Sequence, residues 1–234
     1  MTIIAGYISG CGVLLGADSG YRKVSEDVEI DEFDETDKIQ KASENVVIAG
    51  MGYHRYMLFV QTGLVETIQE ETKLEEINEL LVNFAGEAVD AAQEQGHTKK
   101  VPPSKLNLSI WVAGVRPESS GGFLSKLDVD LTETEPQFEP TVHTEPGVYG
   151  IDIGGTDNNT QKIPDEHYDK LVKKFGHLPF GKWFTDIVDV YSDGRNPIDF
   201  PAQMYYITSE ECYEEYYSGV DTRDSPFNTL GFES

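Results

Sequence analysis

The second residue is the first that could do chemistry. Thr2 follows Met1, and threonine is small enough that methionine aminopeptidases ordinarily remove the Met before it. Removal would leave a free α-amine beside a β-hydroxyl. An α-amine has a pKa of about 8, so at neutral pH a useful fraction is unprotonated and can act as a base. One residue would then supply both nucleophile and base. Alone, Met1-Thr2 also reads as an ordinary processed terminus. Singly, Asp18, Lys38 and Gly50 read as a turn Asp, a surface Lys and a strand-end Gly. Asp189 and Ser192, three residues apart before Asp193-Gly194, read equally as a helix C-terminus. Other chemistries lack their signatures. The five histidines (His54, His97, His143, His167, His177) show no metal-ligand spacing. Gly154-Gly155-Thr156 lacks the lysine of a phosphate loop, and Ser119-Ser120-Gly121-Gly122 is a turn, not a nucleophile elbow. Tyr205-Tyr206, Tyr213 and Tyr216-Tyr217 read as core, edge or subunit contacts.

The elements that would position these residues are legible in outline. Residues 2–9 and 12–18 are short, apolar and β-branched, joined by Ser9-Gly10-Cys11-Gly12, and predict a hairpin. Their apolar residues run consecutively, so both faces should be covered. An acidic stretch peaking over residues 26–37 reads as a solvated loop. A metal site at Asp31, Glu32, Asp34 and Glu35 is disfavoured, because the spacing lacks the glycine and final glutamate of a calcium loop. Residues 38–41 and 45–50 predict a second hairpin. Tyr56, Phe59, Val60, Leu64 and Ile68, then Ile77, Leu80, Leu81, Phe84, Ala88 and Ala92, recur at helical spacing within residues 53–71 and 74–95. Strands are predicted at 106–115, 122–129, 137–143 and 148–153. Helices follow at 165–175 and 182–192, then a strand at 203–208 and a polar, aromatic-rich tail. Two antiparallel sheets packed face to face, with helix pairs outside, would bury every apolar surface in that order. The expectation is an α+β chain, a four-layer αββα sandwich, in a single domain over residues 1–234 with no internal repeat.

Taken jointly, the spacing resembles the proteasome β-subunit and HslV peptidase family of N-terminal nucleophile (Ntn) hydrolases. The resemblance lies in Thr2-Ile3-Ile4-Ala5-Gly6-Tyr7, Gly12-Val13-Leu14-Leu15-Gly16-Ala17-Asp18-Ser19, Asp37-Lys38-Ile39 and Val46-Val47-Ile48-Ala49-Gly50. It covers the first quarter of the chain; the remainder agrees in element order. It implies that Lys38 sits beside the Thr2 hydroxyl, where its charge favours the alkoxide, and that Asp18 orients Lys38 and keeps it charged. It implies that Gly50 offers its N–H to a developing oxyanion where strand gives way to helix. Asp189 and Ser192 preserve a family spacing after the fourth helix. The implied activity is a threonine-type endopeptidase or amidohydrolase acting on a peptide or amide substrate, with no cofactor. The implied assembly is a homo-oligomer, with a ring and an ATPase partner allowed. One departure stands out: Ile153-Gly154-Gly155-Thr156 has glycine where a serine is expected near the threonine amine. That departure keeps a non-catalytic scaffold subunit open as an alternative, beside an acyl-transfer enzyme and a small-molecule amidase on the same fold.

Charge is the outstanding bulk property. Forty-two acidic against eighteen basic residues give the 234-residue chain a formal net charge of −24. Such a surface repels nucleic acid and anionic membranes and argues against both as partners. The acids are spread along the whole length, which fits adaptation to high salt. The apolar runs are too short to span a bilayer, no basic segment leads into an apolar one at the start, and Cys11 and Cys212 make no disulfide framework. A cytoplasmic location is the expectation. The charge also predicts a halophilic response: the folded chain and its oligomer should be more stable at molar than at low ionic strength. Thermal melts and sedimentation across a salt series check this, and a flat response contradicts it.

Overall fold

The architecture is described from a computed structural model, over residues 2–24, 29–35, 37–96, 106–117, 119, 121–132, 138–153, 162–175, 177–192, 200–219 and 226–228. The predicted first hairpin forms as β1 (Ile3–Ile8) and β2 (Gly12–Ala17), closed by a bond from the Ser9 N–H to the Gly12 carbonyl at 2.9 Å. All six residues of β2 are buried. Alternation divides them between two clusters. Ile3, Ala5 and Leu14 join one cluster with Trp183, Phe184 and Ile187 of a C-terminal helix, and Ile4, Val13, Leu15 and Ala17 join another with Val47, Ala49, Trp111 and Leu124.

The stretch read as an acidic loop is instead a two-stranded antiparallel sheet, β3 (Gly20–Val24) and β4 (Glu29–Glu35). Acidic residues dominated that reading, yet Tyr21, Val24, Ile30 and Phe33 supply strand-forming positions between them. Next come β5 (Ile39–Ser43) and β6 (Val46–Gly52), then α1 (His54–Thr67) and α2 (Leu74–Glu94). At the start of α2 the Glu76 carboxylate accepts the Lys73 backbone N–H at 3.3 Å, and Glu75 and Glu76 sit at the positive end of the helix dipole. The buried stripe of α1 is Tyr56, Met57, Val60, Gln61 and Leu64. Phe59, assigned to that stripe from the sequence, is instead 43% exposed and meets the Phe84 ring edge-on.

Strands β7 (Asn107–Val115), β8 (Gly122–Asp130), β9 (Thr141–His143) and β10 (Gly147–Ile153) precede α3 (Lys162–Phe175) and α4 (Phe180–Tyr191). The chain then forms β11 (Ala202–Thr208) and β12 (Cys212–Tyr217). The last strand lies in the polar, aromatic-rich tail, where Glu214 and Glu215 interrupt the aromatic residues and hide the strand pattern. As an edge strand it can leave such side chains in water.

Two five-stranded antiparallel sheets result, in the orders β10-β1-β2-β11-β12 and β5-β6-β7-β8-β9. The chain is therefore a mixed α+β fold with two main antiparallel sheets and four helices among the described residues. α1 and α2 share a core with Ile48, Ile110, Val112 and Leu127 of the second sheet, while α4 packs on the first. Gly16 permits that last approach: a Cβ there would lie 2.9 Å from the Phe184 ring. No described helix is long and apolar enough to cross a membrane.

Candidate functional site

Where β1 and β2 begin and end, one carboxylate ties three elements together. The Ile3 N–H donates to Asp18 Oδ1 at 2.7 Å, and Lys38 Nζ donates to Asp18 Oδ2 at 2.8 Å. The Asp18 N–H in turn reaches the Ile3 carbonyl at 3.2 Å. Asp18 is fully buried and Lys38 is 6% exposed, so this is an interior ion pair reached from the residue next to half-buried Thr2. Burial pushes the Asp18 carboxyl above its ordinary value, against the pull of Lys38 and the Ile3 N–H. Burial likewise draws the Lys38 ammonium below its ordinary value, against the pull of Asp18. Burial opposes both charges, while the ion pair itself favours both.

The backbone around Lys38 is gripped from three sides. Its carbonyl accepts the Gly50 N–H at 3.4 Å and Gln61 Nε2 at 3.0 Å. Across the gap between sheets, Gln203 accepts the Ile39 N–H at Oε1 and donates Nε2 to the Ile39 carbonyl, both at 3.0 Å. Beyond Gln203, Glu214 accepts from the Tyr205 hydroxyl and from Tyr216 at 2.8 Å. Burial works to raise the Glu214 pKa, but bonds from Tyr205, Tyr216 and Gln203 outweigh it and hold the carboxyl below its ordinary value.

The structure thus brings together the backbone beside Thr2, Asp18, Lys38 and Gly50. Gly50 is not placed as the sequence suggested. β6 runs on through Gly52, so Gly50 is inside the strand, opposite Ile110, and its N–H is engaged. A side chain there would meet the Met57 side chain of α1, which would have to move aside. Asp189 is exposed on the last turn of α4, and the N–H of half-buried Ser192 closes that helix on the Val188 carbonyl. Gly155 and Thr156 lie outside the described residues. Asp31, Glu32, Asp34 and Glu35 fall on β4, and among the described residues no cluster of three or more His, Cys, Asp or Glu could hold a metal ion.

Gln61 and Gln203 were missed in the sequence. Their signal was a polar residue at a core position, Gln61 one turn after Met57 in the α1 stripe and Gln203 beside Met204 in a buried strand.

Compared with solved structures, the chain is similar to Anbu from Hyphomicrobium sp. strain MC1, with a TM-score of 0.57 at 13% identity, covering 96% of this chain and 90% of that one. Anbu (ancestral beta-subunit) from Yersinia bercovieri matches with a TM-score of 0.57 at 12% identity, over 99% and 91% of the two chains. The fold is the Anbu fold. A Gly-1 mutant of the Hyphomicrobium Anbu matches equally, with a TM-score of 0.56 at 12% identity over 99% and 92%. No family model and no curated protein matches the chain. The Anbu likeness corrects the placement with proteasome β subunits and HslV drawn from the sequence. That placement rested on a hairpin, an acid–lysine pair and a strand end in the first quarter of the chain. The Anbu likeness, by contrast, extends over nearly the whole chain.

Proposed function

We propose that residues 1–234 form one domain, a four-layer αββα sandwich of Ntn-hydrolase type, and that after loss of Met1 its Thr2 cleaves peptide or amide bonds. The observation that carries this reading is the Asp18 carboxylate, which holds both the Ile3 N–H and Lys38 Nζ at bonding distance. A buried acid and lysine are costly to keep, and this pair lies one residue from the candidate nucleophile. In the proposed reaction the Thr2 α-amine takes the hydroxyl proton and the oxygen attacks the substrate carbonyl, with the Lys38 charge stabilising the alkoxide. The oxyanion is held by backbone N–H groups, the Gly50 N–H among them. Its present bond to Lys38 is long and weak enough to be exchanged. The amine returns the proton to the leaving group, and water then releases the acyl-enzyme. Asp189 and Ser192 would support the amine from the end of α4, and the chemistry needs no cofactor.

The subunit would work as a homo-oligomer, for which Leu58 and Phe59, 44% and 43% exposed on α1, offer apolar contact surface. A second reading is a non-catalytic scaffold subunit, favoured by the engaged Gly50 N–H. Thr2→Ala separates them. Under the catalytic reading the variant folds and assembles like the wild type but loses hydrolysis of a fluorogenic peptide panel. Full activity in that variant would sink the threonine mechanism, and an inactive wild type would support the scaffold.

A further inference from the structure

Ser19 carries a hydroxyl that the fold leaves unused. The residue is 3% exposed, and its Oγ has no hydrogen-bond partner among the described residues. A buried hydroxyl without a partner is costly. The register of β1 against β2 says what it faces. Ile4 pairs with Ala17, and the next step pairs Ile3 with Asp18 through the Asp18 N–H. Carried one residue past the strand ends, that register would set Ser19 across from Thr2. On that register alternation would turn both toward the face that Ile4 and Ala17 present to the second sheet. Side chains opposite one another in an antiparallel pair have Cβ atoms about 5 Å apart, and at rest the Ser19 and Thr2 hydroxyls are not bonded to each other.

We infer that the Ser19 hydroxyl is a hydrogen-bond donor held for the Thr2 side-chain oxygen as that oxygen becomes anionic. This inference rests on the threonine-hydrolase reading above. The Thr2 O–H proton passes to the Thr2 amine, the freed electron pair forms the bond to the carbonyl carbon, and Ser19 keeps its own proton throughout. A donor with no acceptor in the resting protein binds the transition state more strongly than the ground state, which is the condition for raising the rate. Ser19 therefore costs the fold something and returns it in turnover.

The test follows modification of Thr2 by a peptide epoxyketone, using intact mass against time over a range of inhibitor concentrations. For Ser19→Ala the limiting rate should fall about 10- to 100-fold, somewhat below the loss usual for a full oxyanion donor, with the half-saturating concentration unchanged within about twofold. Ser19→Thr, which keeps a hydroxyl, should recover most of the rate. The Ser19→Ala melting temperature should equal or exceed that of wild type, because an unsatisfied buried group has been removed. A residue of purely structural importance would show the opposite: a lowered melting temperature with the rate per folded molecule unchanged. Modification of Ser19→Ala at the wild-type rate overturns the role of Ser19 while leaving the Thr2 mechanism intact. A wild-type chain that is never modified removes both.

Discussion

Lys38→Ala is expected to cut hydrolysis of a fluorogenic peptide by roughly two orders of magnitude or more, the scale for removing one electrostatic group from a site of developing charge. The charge sits on Asp18 Oδ2 at 2.8 Å, and Asp18 also holds the amide next to Thr2, so its position is fixed by two bonds. Lys38→Arg should rescue poorly. The guanidinium is larger and planar, and Lys38 is buried, so it cannot take the same point position. Asp18→Asn should also be damaging, by loosening Lys38 at nearly constant volume. Turnover per folded molecule, with folding followed by circular dichroism, is the quantity to compare. Wild-type turnover by folded Lys38→Ala would rule out the assigned role.

The second large effect is on stability, and its sign depends on how many partners are removed. Asp18→Asn or Lys38→Met alone leaves a group stranded in the interior and should cost about 3–5 kcal/mol. The double variant Asp18→Asn/Lys38→Met removes both charges and should recover most of that loss. The coupling between the two sites is then large and favourable, not additive. Urea unfolding of the four proteins at one salt concentration measures it, and additive losses would contradict the account.

The pH dependence follows from the same pair. Asp18 is raised in the fold, so between its ordinary and its folded value the native state binds more protons than the unfolded one, and stability falls as pH rises. Lys38 is lowered, so just below the ordinary lysine pKa the unfolded state binds more, and stability rises with pH. Relative to the double variant, the wild type should therefore be weakest between these two windows and gain at either end.

Much of this arrangement was legible in the sequence because local signals and burial agreed. The β1–β2 hairpin, the α1–α2 pair and the strands from β6 to β8 announce themselves through turn residues and periodicity. Asp18 and Lys38 became readable only jointly, since each alone has a bland reading. The failures share a physical form. In β3–β4 and β12, charge concealed strand-forming residues, and in β12 an edge position tolerates carboxylates that a buried strand does not. Gly50 was assigned to a strand end, but the register continues two residues further and the helix packs Met57 against it. Gln203 could not be found from spacing, because its partner, Ile39, lies 164 residues away on the other sheet. The family placement rested on a quarter of the chain, whereas the Anbu likeness extends over nearly all of it.

The central claim is that a free Thr2 does the chemistry, and intact mass with and without a peptide epoxyketone tests it most directly, since that warhead requires both the hydroxyl and the free amine of an N-terminal threonine. The account predicts a chain lacking Met1 that gains the mass of one inhibitor in the wild type and none in Thr2→Ala. A chain that keeps Met1, or that lacks it and remains unmodified, would contradict the account.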